Sequence, residues 1–171
     1  MSVRGQAPDD GYFSSAPRPL GSGDAAAARA LVHAALGVTP YVDRVLEVLD
    51  QAARGGDPDA RALVIERDGT IAGLVIFGLV AGASGAARLH ALVLGRGVSA
   101  DDVGGRLTHA AANAALAEGA RLLVAEVPDD PALGQVPAVL LRNGFHEEAR
   151  VPDFFREGVA LIFLRRTLAS T

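Results

Sequence analysis

Two apolar, partly β-branched runs constrain this chain more than any other feature: Arg61 to Glu66 and Thr70 to Val80. They are joined by Asp68-Gly69, a dipeptide that closes tight hairpins, so the middle of the chain is committed to adjacent antiparallel strands. Helical patterns precede them. Ser22 to Leu36 is rich in alanine with Ser22 or Asp24 placed to cap it, and Thr39-Pro40 opens a second pattern in which Val42, Val45, Leu46, Leu49 and Ala53 recur at helical spacing until Gly55 and Gly56.

After the hairpin the periods alternate. Ala86 to Leu94 reads as a strand, Val103 to Glu118 as an alanine-rich helix stopped by Gly119, and Leu122 to Val127 as a short buried strand. Val136 to Arg142, with Pro137 near its start and Gly144 just past its end, reads as a helix, and Phe145 to Val151 and Val159 to Arg165 as the last strands. A further short strand is expected near Pro17 to Leu20. The order implies an α/β domain with a mixed central sheet of six to seven strands, flanked by about four helices on its two faces. The expected organisation is an N-terminal arm, residues 1–18, whose Gly, Pro, Ser and Asp leave only Tyr12 and Phe13 as sizeable apolar groups, followed by one domain, 19–171.

Composition removes several chemistries. Cysteine and lysine are absent, which excludes disulfides, thiolate metal sites, a cysteine nucleophile and a lysine Schiff base. The net charge is -4 and the arginines are scattered, so no basic face suited to nucleic acid is expected. Residues 1–20 carry no apolar signal core and no run reaches the ~20 apolar residues of a membrane span, which makes the cytoplasm the expected location. None of His33, His90, His109 and His146 belongs to a metal motif or follows a Gly-x-Ser-x-Gly elbow, so neither a metal site nor a serine triad is expected.

The stretch from Gly119 to Leu168 resembles the corresponding end of GNAT N-acetyltransferases, most specifically at Asn143, Gly144, Phe145, Pro152, Asp153 and Phe154. The resemblance implies the GNAT fold, transfer of an acyl group from acetyl-CoA, and a small-molecule or amine acceptor. It places acetyl-CoA between two splayed parallel strands, here Ala86 to Leu94 and Leu122 to Val127, along Leu92, Val93 and Leu94, with its pyrophosphate on the loop before the third main helix. Such a loop holds an anion by backbone N–H groups and the helix dipole.

Here that loop reads Ser99, Ala100, Asp101, Asp102, Val103, Gly104, followed by Gly105, and of the family's glycine pattern Gly104 alone is kept. A carboxylate at ~4 Å from a phosphate repels it by about 4 kcal/mol at an effective dielectric near 20. That corresponds to roughly three decades of affinity. Arg96 or Arg106 is placed to offset part of it. The plainer role for Asp101 and Asp102 is to cap the helix, with Gly104 and Gly105 permitting close packing.

The family's tyrosine, which protonates the departing thiolate, falls in register on Leu140, which has no proton to give. Two catalytic candidates follow by position: His90, whose neutral imidazole can take a proton from an amine, and Glu126, a base if half-buried. Pro152 to Phe155 are expected in a hairpin bordering the acceptor, with Arg156 available to an acidic acceptor. Two readings stay open: an active N-acetyltransferase, or a GNAT-like pseudoenzyme that binds another small ligand or a protein partner. The apolar Ala160 to Leu164 offers a strand for homodimer pairing.

Overall fold

The computed structural model describes residues 15–169. A seven-stranded sheet carries four helices, as expected, in the order β1 (Arg18–Pro19), α1 (Ala25–Leu36), α2 (Val42–Arg54), β2 (Arg61–Arg67), β3 (Thr70–Leu79), β4 (Ala86–Leu94), α3 (Gly105–Ala117), β5 (Leu122–Pro128), α4 (Val136–Arg142), β6 (His146–Arg156) and β7 (Val159–Thr167). The spatial order is β1-β2-β3-β4-β5-β7-β6, antiparallel throughout except for the parallel pair β4 and β5.

The Asp68-Gly69 turn forms as its composition demands, with both residues at positive φ, 51° and 72°. One face of β2–β4 is covered by α1 and α2, through Leu31, Val32, Leu46 and Leu49 against Val64, Leu74, Ile76 and Val93. The other face is covered by α3 and α4, which bury Leu107, Ala111, Val139 and Leu140 against Val75, Phe77, Leu123 and Leu164. No residue of β5 or β7 belongs to the α1–α2 core, so that half of the sheet lacks helical cover on one side and forms the floor of a cleft.

Several expected boundaries move. α2 starts at Val42 instead of at Pro40, because Thr39 makes no cap: its hydroxyl is buried without a partner, and Tyr41 is the cap residue. β6 extends through Pro152 to Phe155, which therefore belong to a strand that shifts register between Val151 and Arg156, where Asp153 takes positive φ. The tight turn lies beyond, at Glu157-Gly158.

Homodimer pairing through Ala160 to Leu164 is overturned, since β7 lies between β5 and β6 with both of its edges already bonded. Of the 1–18 arm, residues 1–14 lie outside the described residues. The part described is tied down: Ser15 bonds Glu66, and Arg18 bridges Asp24 at 2.6 Å and Glu66 at 2.7 Å.

Candidate active site

β4 and β5 pair from Ala86↔Leu122 to Leu89↔Ala125 and then part. β4 continues alongside β3 as far as Leu94, and β5 continues alongside β7 as far as Pro128. Into the resulting fork pack Leu133, from the short turn Pro131–Leu133, and Val136, which opens α4. The fork contains a cavity of about 430 Å³ reaching Tyr41, Arg44 and Phe155, and a smaller one of about 230 Å³ reaching Val98 and Ala100. Leu36, Leu92, Val93, Leu133 and Val136 line both, so the two adjoin along β4.

His90 and Glu126 are the first residues beyond the last paired positions, and both line the larger cavity. His90 Nε2 lies 2.9 Å from the carbonyl oxygen of Asp59. A carbonyl can only accept, so Nε2 carries the proton and Nδ1 is left as the acceptor of the neutral ring. Burial lowers the imidazole pKa, outweighing the Asp59 hydrogen bond, and the positive Arg88 and Arg44 lower it further. His90 is therefore neutral at pH 7, the form a base requires. Glu126 does not have the half-buried setting expected of it. It is exposed, and its carboxylate stands 3.3 Å from the Arg88 guanidinium.

The segment expected to face the pyrophosphate forms a wide turn, Ala100–Gly104, running straight into α3. Ser99 caps it: its hydroxyl accepts from Asp102 N–H at 3.3 Å and its carbonyl from Val103 N–H at 2.9 Å. Gly105 N–H donates to the Asp101 and Asp102 carbonyls, so three amides of this segment are engaged within the turn. Gly104 is required for packing, because a Cβ there would lie 2.8 Å from Val139 of α4.

Asp101 is not bare. Arg142, at the end of α4, reaches its carboxylate with Nε at 2.7 Å and a terminal nitrogen at 2.5 Å. Neither arginine named from sequence provides this pairing: Arg106 donates to the Ser15 carbonyl at 3.2 Å. Leu140, in the register of the family's tyrosine, is fully buried and contributes to the wall of the larger cavity.

Sequence reasoning missed a cluster that joins three elements. Asp130, 6 % exposed, accepts from the Tyr41 hydroxyl at 2.7 Å, from Arg156 at 2.8 and 3.0 Å, and from Ala132 N–H at 2.9 Å. Arg156 is thereby committed to a residue of its own chain instead of standing open for an acidic acceptor. The Ala132 bond, then the Tyr41 bond, hold the Asp130 carboxyl below its ordinary pKa, and burial followed by the bond to Asp130 pushes the Tyr41 phenol up to about 12. Tyr41 thus keeps its proton and packs edge-on against Phe155, with ring centroids 5.8 Å apart.

The cluster clamps the start of α2 to the tip of β6 across the mouth of the cleft. The Asp130-Pro131 dipeptide signals a turn, but nothing local signals a partner 89 positions away. Asp130→Ala is expected to cost about 3 kcal/mol by leaving a phenol and an amide without their acceptor, and Tyr41→Phe about 1 kcal/mol, both read from urea denaturation.

Among the described residues, no group of three or more His, Cys, Asp or Glu is placed to hold a metal ion, and no helix is long and apolar enough to cross a membrane.

The chain has the fold of GNAT acetyltransferases. It is similar to a protein assigned to that family from Desulfovibrio desulfuricans, with 24 % identity and a TM-score of 0.79 over 90 % of this chain and 99 % of that one. An aminoglycoside 6'-acetyltransferase type Ii aligns over 92 % of this chain and 99 % of its own, with a TM-score of 0.77 and 14 % identity. The yncA protein of Salmonella typhimurium, solved with its cofactor acetyl-CoA, aligns over 93 % and 96 % of the two chains, with a TM-score of 0.71 and 18 % identity. No protein-family model and no curated protein matches the sequence.

Proposed function

We propose that this protein is an N-acetyltransferase that moves the acetyl group of acetyl-CoA to an amine. The observation that carries the reading is the fork itself: His90 and Glu126 stand at its apex, and two adjoining cavities extend from them along β4 to Ala100 of the Ala100–Gly104 turn. Similarity to a structure that holds acetyl-CoA supports it.

The residues fit the donor in most respects. The apolar groove beside Leu92, Val93 and Leu94 suits the pantetheine arm, and Arg142 supplies beside the turn the cation that the loop's own sequence lacks. When bound, acetyl-CoA supplies an activated acyl group whose thioester carbonyl is open to attack. The amine nitrogen forms the new C–N bond as the C–S bond breaks. His90 Nδ1 takes the proton the amine loses. Leu140 has none to return, so water protonates the thiolate.

Titration calorimetry with acetyl-CoA tests the reading. Binding in the micromolar range is expected, and Asp101→Asn, which removes a negative charge and releases Arg142, is expected to tighten it about tenfold. Absence of binding at millimolar acetyl-CoA overturns the reading. The buried Leu140 in place of an acid would then favour a catalytically inactive relative that uses the cleft for another ligand.

A further inference from the structure

Arg44, Arg88, Arg156 and Glu126 line the larger cavity, but Arg156 is held by Asp130 at 2.8 Å and Arg44 by Glu47 at 2.7 Å, which leaves Arg88 and Glu126 as the charged pair with no further carboxylate or guanidinium bonded to it among the described residues. Arg88 has a donor to spare. Its Nε is buried away from the cavity, but the guanidinium as a whole is part-exposed, and a single terminal nitrogen stands near a carboxylate, 3.3 Å from Glu126.

Arg88 and Glu126 lie on neighbouring strands and face the same cavity at the fork, presenting a cation and an anion side by side. The complementary ligand carries an ammonium and a carboxylate side by side. Most of the remaining wall is apolar, including Leu36, Val45, Leu133, Val136 and Phe155.

We propose that the acceptor is a free α-amino acid with an apolar side chain, its carboxylate held by Arg88 and its amine beside Glu126 and His90. That the bound amino acid is an acceptor rests on the transferase reading, whereas the preference for a carboxylate rests on the cavity alone.

The test compares L-phenylalanine with L-phenylalaninamide, which keeps the amine and ring and loses the charge. Binding of each is measured by calorimetry, and release of the CoA thiol in the presence of acetyl-CoA is followed separately. The acid is expected to bind about tenfold tighter than the amide. Arg88→Gln is expected to remove that difference by weakening the acid alone, and Arg88→Lys to retain part of it.

Equal or tighter binding of the amide overturns the proposal. So does a preference that survives Arg88→Gln, or failure of both compounds to bind at millimolar concentration. Preferential binding of the acid without thiol release supports the carboxylate preference and overturns the transferase reading. Thiol release with the amide and none with the acid does the reverse.

Discussion

Replacing Gly78 by alanine is expected to destabilise the protein by about 3 kcal/mol and to disturb His90 at the same time. The turn before β2 crosses β3 so closely that a Cβ on Gly78 would lie 2.0 Å from the carbonyl oxygen of Asp59 and 2.1 Å from its carbon. No rotamer relieves a clash with backbone. The turn has to lift, although Leu79 N–H to the Pro58 carbonyl and Asp59 N–H to the Asp57 carboxylate pin it on either side. The same Asp59 carbonyl accepts the proton of His90 Nε2. A loss of this size lowers Tm by roughly 10 °C in a domain of this length, and an NMR titration of the His90 ring is expected to show its pKa altered as the bond is lost. Unchanged melting would mean that the turn has more freedom than its bonds suggest.

On the transferase reading, His90→Gln is expected to lower kcat by ~10² to 10⁴ while leaving acetyl-CoA affinity intact. Glutamine keeps an N–H for the Asp59 carbonyl and lacks a titrating base, so it separates support of the turn from proton transfer. The pH dependence follows from burial, which holds the folded imidazole below its usual 6.5. The enzyme's own acid limb in kcat/KM therefore lies below pH 6.5 and is absent from the variant. The unfolded chain takes up this proton more readily than the folded one. His90 consequently costs no stability above pH 6.5 and an increasing amount as the pH falls from there toward the folded value. Denaturation midpoints measured across that window check the second effect, and stopped or steady-state assays the first.

Much of the fold was legible because it is locally encoded. The Asp68-Gly69 turn, the Gly55 and Gly119 helix ends and the Asn143-Gly144-Phe145 segment each specify their own backbone, and the run of periods between them specifies the element order. His90 and Glu126 were reachable as candidates only through the resemblance, which implies that the two strands carrying them splay apart. What stayed hidden depends on side chains that meet across long separations. Asp130 gives a turn signal, but its bond to Tyr41 arises only once α2 and the end of β5 are assembled. The pairing of Asp101 with Arg142, 41 residues later, is of the same kind, and it changes how the acidic loop behaves. The strand pairing expected of Ala160 to Leu164 failed for a topological reason, because an apolar last strand need not be an edge strand.

The Arg142 and Asp101 pair gives the turn the character of a small ion exchanger loaded with its own counter-ion. A diphosphate arriving there exchanges one anion for another on the same guanidinium, in contrast to filling an unpaired cationic site. Added salt weakens the pair that is lost and the pair that is gained alike. Affinity for an anionic ligand at this turn should therefore be nearly flat across ionic strength, where an uncompensated basic loop would lose its ligand steadily as salt is raised.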